Sequence, residues 1–445
     1  MEKGKLSGLS HLFVTVFLSG FASFIVVPAI TDVTMSALCP GKDECSLAIY
    51  LTGFQQAIIG MGTMVMMPLI GNLSDQYGRK ALLTLPMVLS IFPLAILAYS
   101  RTTYYFYAYY ILRTLTGMVC EGSMNCIALA YLADNLPDRQ LASAFGILSG
   151  VASASFVCGT LAARFLSTAS TFQVAAFVSM LAVVYMRIFL EESLPDDADG
   201  LTRPILKEGQ DAIQNDGNDP SKIVPFKKIP SVGDLICLLR SSSSFSQAAV
   251  VAFFNSLAEG GMLASMMYFL KARFHFNKNQ FADLMLISGV LATVSQLLLM
   301  PVLAPYIEER KLLSIGLLVS CIHGFLYSIS WSAWVPYAAT VCSIFMVFAP
   351  PCLRSIVSKQ IGPREQGKAQ GCISGISSFA NIISPLIFSP LTALFLSENA
   401  PFYFPGFSIM CIVLASMISF IQSLMIKSAP LTPPSPRINS NRIEA

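Results

Sequence analysis

Long, predominantly apolar runs dominate this chain: Leu12–Ile30, Leu47–Ile70, Ala81–Tyr99 and Cys411–Ile426 are four of them. A run of about 20 such residues, wound as an α-helix, crosses the ~30 Å hydrocarbon core of a bilayer. In lipid every backbone N–H and C=O must be satisfied inside the segment, which leaves helices or closed barrels. A barrel would show short alternating stretches, and the sequence has long blocks instead. Charged residues make up only 12% of the 445, about half the ~25% of a soluble domain. Too little polar surface remains to cover a water-soluble globule. The expected class is an all-α membrane protein.

Twelve spans are expected, near residues 10–30, 47–70, 81–99, 105–130, 141–163, 171–190, 246–270, 280–303, 312–331, 335–355, 368–390 and 403–426. The first run is too long for a signal-peptide core and ends without a cleavage pattern, so it reads as an uncleaved span. An even count puts both termini on one side. Of the 28 Lys and Arg, 21 fall in the loops on the terminus side and 6 in the opposite loops, with Arg113 inside a span. Excess Lys and Arg mark the cytoplasmic loops, so both termini are expected in the cytosol, in the plasma membrane or an endomembrane of vacuolar or lysosomal type.

The middle of the chain differs in kind. Glu191–Pro225 is polar and reads as a disordered linker. Phe226–Arg240 places apolar residues on one helical face beside Lys227, Lys228 and Arg240, as in an amphipathic helix on the inner leaflet. The expected organisation is a six-helix bundle over 1–190, a cytoplasmic linker over 191–245, a second six-helix bundle over 246–426 and a tail over 427–445. The halves echo each other. Arg139-Gln-Leu-Ala-Ser-Ala-Phe-Gly-Ile-Leu-Ser-Gly150 matches Arg364-Glu-Gln-Gly-Lys-Ala-Gln-Gly-Cys-Ile-Ser-Gly375 at Arg, Ala, Gly, Ser and Gly. Met67-Pro68 with Arg79-Lys80 is answered by Met300-Pro301 with Arg310-Lys311. Each echo falls at the same ordinal span of its half, which is the organisation of transporters built from two parallel repeats.

The loop after span 2 reads Gly71-Asn-Leu-Ser-Asp-Gln-Tyr-Gly-Arg-Lys80. Gly71 and Gly78 permit a tight turn between helices, and Asp75 can face a helix N-terminus. The stretch resembles the G-x-L-x-D-x-x-G-R/K-R/K motif of the major facilitator superfamily. The resemblance covers nearly the whole chain and implies the major facilitator fold, twelve transmembrane helices in two pseudo-symmetric six-helix bundles. It also implies that Asp75 engages the segment near Gly367 at the start of span 11 and that Arg79 engages Asp134, together latching the outward-facing state. The second-half copy is degraded, with Tyr306 at or near the Asp place and Glu309 in the Gly place, so a second latch is expected to be weak or absent.

Charges at membrane depth are costly and point to function. In span 4, Arg113, Gly117, Glu121 and Asn125 recur every four residues and should form one ridge facing a central cavity. Eight residues separate Arg113 from Glu121, too far for a direct pair on an ideal helix. Arg113-x-x-x-Gly117 also resembles the superfamily's span-4 motif, whose Arg is linked to proton coupling. Glu259 in span 7 is the one acid deep in the second half, next to Gly260-Gly261, where a helix can bend. Gln55, Gln56, Gln296, His323 and Asn381 are further candidates, each read equally as a helix–helix hydrogen bond. Arg113, Glu121, Glu259, Gln55, Asn125, His323 and Asn381 are therefore the candidates for substrate contact and proton coupling.

Span 5 departs from the superfamily's antiporter pattern, G-x-x-x-G-P-x-x-G-G. It offers Ser155-Phe-Val-Cys-Gly159-Thr160-Leu-Ala-Ala163, which leaves the direction of coupling open. The span 4–5 loop (Asp134–Arg139) and Glu365–Gly371 resemble the tetracycline-resistance-like, hippocampus-abundant-transcript-like branch, which includes drug:proton antiporters. The sequence thus points to a secondary active transporter of a small organic solute, working by alternating access and proton-coupled. A non-transporting receptor or sorting adaptor with a transporter fold, using the linker and tail as its interface, is the alternative. Nothing suggests an enzyme, a metal or another cofactor, because no nucleophile–base pair, His-rich box or phosphate loop is present. The expected partners are the solute, a proton or another ion, and the bilayer, with no nucleic acid and a monomeric state. The 11 cysteines lack regular spacing. Only Cys39 and Cys45 share a polar loop, and they could bridge if it faces an oxidising compartment.

Overall fold

The structure is a computed structural model. It describes residues 2–38, 46–193, 243–276, 278–362, 365–396 and 400–426. The expected inner-leaflet helix, the linker beyond Ser193, the tail from 427 and the Cys39–Cys45 pair lie outside the described residues.

Twelve helical spans long and apolar enough to cross a membrane are present. In chain order they are Gly8–Leu38, Leu51–Tyr77, Arg79–Tyr99, Thr103–Asn135, Asp138–Ala163 and Thr168–Phe189, then Ser243–Phe274, Gln280–Leu303, Glu309–Ser328, Val335–Lys359, Gln366–Leu396 and Phe407–Met425. They are numbered spans 1–12 below. Most run further toward the terminus side than the hydropathy runs, because the polar ends are still wound as helix. One boundary matters. Arg354, counted above among the loop cations, lies inside span 10, which continues to Lys359.

The spans form the two six-helix bundles of the major facilitator fold. The first half buries Leu12, Leu83, Ile127, Phe145 and Met186 together near the terminus side, and Ile25, Leu97, Phe106 and Phe172 near the other. The second half has its own cores around Phe245, Leu313 and Phe348, around Phe269, Leu284 and Tyr327, and around Leu257, Ala380 and Phe388. Bilayer lipid is as apolar as these side chains, so close packing and hydrogen bonds hold such bundles together rather than hydrophobic transfer.

The halves meet along two seams where small residues let backbones approach. In the seam between spans 2 and 11, a Cβ on Gly371 would stand 2.6 Å from the Met67 carbonyl oxygen, and one on Gly71 would overlap the Gly367 carbonyl. In the seam between spans 5 and 8, a Cβ on Gly150 would stand 2.7 Å from Leu297, and Gly146 abuts Met300 in the same way. Span 5 thus packs closely on span 8 through Gly146 and Gly150. Span 7 runs as one continuous α-helix, Ser243–Phe274, through the two glycines. Gly260 and Gly261 make room for Ser384 and Phe388 of span 11, and the Ser384 hydroxyl donates to the Leu257 carbonyl at 2.6 Å.

Candidate functional site

At the terminus-side end of the bundle, Gly78 takes φ +95°, a left-handed conformation, between spans 2 and 3. That turn returns Arg79 beneath span 2. Arg79 is fully buried. Its Nη2 lies 2.6 Å from Asp75, its Nε donates to Asp134 at 2.8 Å, and its Nη1 donates to Ser74 at 2.5 Å. The Asp75 carboxylate in turn accepts the backbone N–H of Gly367 and of Lys368, both at 2.8 Å. These are free N–H groups at the start of span 11, where the helix dipole favours negative charge. Asp75 thus joins the first half to the second, and Arg79 ties Asp75 to span 4. Gly71, Asp75, Gly78, Arg79 and Asp134 come together as the sequence suggested.

The sequence reading missed two members of this cluster. Glu192, just past span 6, accepts the backbone N–H groups of Arg79 at 2.7 Å and Lys80 at 3.0 Å, capping span 3. Ser193 donates to Asp134 at 3.3 Å. No local motif marks an acid that caps a helix 112 residues away in sequence.

The second half keeps part of the arrangement with its charges exchanged. Glu309 opens span 9 and pairs at 2.7 Å with Lys359, which closes span 10. Arg79 opens span 3 and pairs with Asp134 near the end of span 4. Tyr306, at the place of Asp75, is 85% exposed and cannot supply a carboxylate to a facing helix N-terminus.

Span 4 is broken, which corrects the expected ridge. The helix stops at Cys120, Glu121 is extended, Gly122 is left-handed at φ 79°, and a new helix begins at Ser123. Ser123 donates back to the Val119 carbonyl across the break. Because the rise is interrupted there, Glu121 folds back along the preceding helix and pairs with Arg113, Nη2 to Oε2 at 3.2 Å. The separation expected to keep them apart assumed an unbroken helix. Gly117 clears the path, since a Cβ there would stand 3.3 Å from the Arg113 guanidinium. Gln56 of span 2 donates to the second Glu121 oxygen at 3.5 Å. The paired side chains are 37% and 41% exposed, so they face open space. An exposed pair of this kind adds little stability.

Of the other candidates, Gln55 donates to the Tyr110 carbonyl at 3.2 Å and to Thr114 at 3.1 Å, and ties span 2 to span 4. Asn125 is exposed beyond the break. Glu259 is exposed and accepts a hydrogen bond from Asn255 at 2.9 Å. Asn381 of span 11 lies beside it, with Oδ1 3.1 Å from where a Cβ on Gly260 would be. His323 is buried inside the second half with its ring against Tyr327. Gln296 lies in a short π-helical stretch of span 8, Ser295–Leu299. It accepts from Ser153 of span 5 at 3.1 Å and donates to the Val347 carbonyl of span 10 at 3.2 Å, crossing the seam between the halves. Among the described residues, no group of three or more His, Cys, Asp or Glu is placed to hold a metal ion.

A family model described as the Major Facilitator Superfamily matches residues 12–254 and 248–444. The chain belongs to the Major Facilitator Superfamily. Among curated members it is similar to human Hippocampus abundant transcript-like protein 1, with 24% identity over 358 residues, 79% of this chain and 66% of that protein. The Tetracycline resistance protein, class E, of Escherichia coli is 22% identical over 344 residues, 76% of this chain and 77% of that protein. The chain therefore spans about two thirds to three quarters of the length of these relatives. Among solved structures, that of the human organic anion transporter MFSD10 (TETRAN) superposes with TM-score 0.75 at 17% identity, covering 94% of this chain and 99% of that one. The protein is an integral, multi-pass, non-enzymatic membrane protein of a transporter family.

Proposed function

We propose that this superfamily member is a secondary active transporter that carries a small organic solute by alternating access and couples its movement to a proton. The observation that carries this reading is the cross-half latch. Asp75 accepts two backbone N–H groups from the other half, and its own position is held by a fully buried Arg79. A contact of this kind holds one end of the bundle closed and is released only when the halves rock apart. With the positive-inside assignment, that end is cytoplasmic, both termini are cytosolic, and the described arrangement is the outward-facing state. The division at 190, 245 and 426 gives each half its own six spans, and the protein acts as a monomer in the plasma membrane or an endomembrane.

Two acids face open space between the latch and the opposite side. Glu121 is held by Arg113 and Gln56, so protonating it releases the guanidinium. Among the described residues Glu259 has the Asn255 amide for a partner, and Asn381 lies beside the adjoining Gly260. They are the groups to take up and release the coupled proton, and Arg113, Asn125 and Asn381 line the same route. The test is uptake into vesicles under an imposed pH gradient. Glu259→Gln or Glu121→Gln should abolish the pH-dependent component while protein levels hold. Unchanged pH-dependent uptake in both variants would remove proton coupling from the assignment.

A further inference from the structure

Three arginines lie in the first-half latch, span 4 and span 10, and two of them have carboxylates. Arg79 has Asp75 and Asp134, and Arg113 has Glu121. Arg354 has none among the described residues. Its Nη1 donates to the Gln370 carbonyl at 3.3 Å, to the Gln370 side-chain oxygen at 3.1 Å and to Ser374 at 3.0 Å. All three acceptors are neutral and belong to span 11. Gln370 is fully buried and is itself fixed by donating to the Arg354 carbonyl at 3.3 Å. A charge at this depth without a counter-charge is expensive, and neutral acceptors cannot cancel it.

The rest of the guanidinium is free in a particular way. Among the described residues Nε and Nη2 make no hydrogen bond, and Arg354 is only partly buried. These two nitrogens share one edge of the planar group and present two parallel N–H donors. That edge matches the two coplanar oxygens of a carboxylate in a bidentate pair, a geometry that a lysine ammonium cannot offer. The surroundings are built to hold it still. Cys126 of span 4 is itself fully buried, and span 11 packs against spans 4 and 10, so the guanidinium stands near where the three converge. From there one face of span 11 stays accessible through Ser374 and Ser378 to Asn381, beside Glu259.

We propose that Arg354 is the anion-recognition residue of the transport cavity, and that its free Nε/Nη2 edge takes a carboxylate of the transported solute. The proposal rests on the transport reading above and adds the class of substrate. The bound solute then supplies the missing half of the Arg354 ion pair. Gln370 adjoins Gly371, which packs on Met67 of the first half, so the pair forms next to the seam that must open.

The test uses the full-length protein reconstituted in liposomes and a 13C-labelled cell extract as the probe, with retained solutes identified by mass spectrometry. Solutes retained in a protein-dependent manner should carry a carboxylate. Arg354→Gln should reduce their retention at least tenfold. Arg354→Lys should raise the half-saturating concentration while leaving the maximal rate within a fewfold. Hydrogen exchange at Gly367 and Lys368 in the Arg354→Gln variant, matching the wild type, checks that the fold and latch are intact. Protein-dependent retention confined to solutes without a carboxylate would overturn the assignment, as would wild-type retention by a folded Arg354→Gln variant. A 36Cl flux that Arg354→Gln abolishes, with no carboxylate retained, would overturn it too and assign the edge to a halide. No protein-dependent solute of any class would count against transport itself, a separate failure.

Discussion

Replacing Asp75 with Asn tests the proposed latch at its centre. The carboxylate accepts two N–H groups at 2.8 Å and contacts Arg79 at 2.6 Å. Hydrogen bonds to a charged group contribute about 1.5–3 kcal/mol each. Asn keeps one acceptor oxygen, loses the charge, and turns an NH2 toward one of the two donors. The latched state should therefore weaken by about 2–3 kcal/mol, the loss of roughly one charge-assisted bond. At 1.4 kcal/mol per tenfold, the unlatched population rises ~30–150-fold. Hydrogen exchange reads this directly, because the amides of Gly367 and Lys368 are the donors. Both should exchange ~30–150-fold faster in Asp75→Asn, while amides within span 12 hold their wild-type rates. A change under threefold at those two amides would refute the reasoning. The start of span 11 would then be held by the packing of Gly71 and Gly371 alone, with Asp75 contributing nothing across the seam.

Other variants address neighbouring parts of the structure. Arg79→Gln leaves two nearly buried carboxylates facing each other without a cation, and should destabilise the first half by about 3–5 kcal/mol. Thermal melts in nanodiscs should show a fall larger than that of Asp75→Asn, partly recovered in Arg79→Gln/Asp134→Asn. Gly371→Ala drives a methyl group toward the Met67 carbonyl, so uptake should be lost with span 11 amides near Gly367 deprotected; wild-type uptake would contradict the close backbone approach. Glu192→Gln removes the charged cap of span 3 and should lower stability by only about 1 kcal/mol, measured by the same melts. Ser384→Ala removes the bond to the Leu257 carbonyl and should cost about 0.6 kcal/mol, the average for side-chain hydrogen bonds between membrane helices.

What could be read in the sequence divides along physical lines. Span count and the two-bundle fold were legible because lipid forces long apolar helices, and the Asp75–Arg79–Asp134 cluster was legible through the resemblance of the Gly71–Lys80 loop to a family motif. Three features were not. The Arg113–Glu121 pair depends on a left-handed Gly122, and a glycine in a helical pattern does not announce whether the helix breaks there. Glu192 acts on span 3 from the far end of span 6, a contact made by topology alone. Arg354 fell one residue inside the expected end of span 10, at 355, and was counted with the terminus-side loop charges, so a partly buried cation within the span was overlooked.

The exchanged ion pairs carry the argument about symmetry further than the sequence echo did. Arg79–Asp134 and Glu309–Lys359 occupy matching places, the start of the third span and the end of the fourth in each half, with opposite sign order. Ion pairing tolerates that exchange, since either order neutralises both groups. The cross-half contact does not tolerate it. A helix N-terminus presents N–H groups and positive potential whichever half it belongs to, so an acid at the place of Asp75 engages it and a base there would be repelled. Tyr306 in the second half removes that acid. Among the described contacts, the duplicated scaffold therefore shows its within-half tie in both copies and its between-half tie in the first. The closed end is held by span 2 on span 11, while the seam of spans 5 and 8 relies on glycine packing and the neutral Gln296 bridge. Weakening Asp75 should accordingly release the first seam before the second. Hydrogen exchange rising at Gly367 and Lys368 without a matching rise in span 5 is the outcome that order requires.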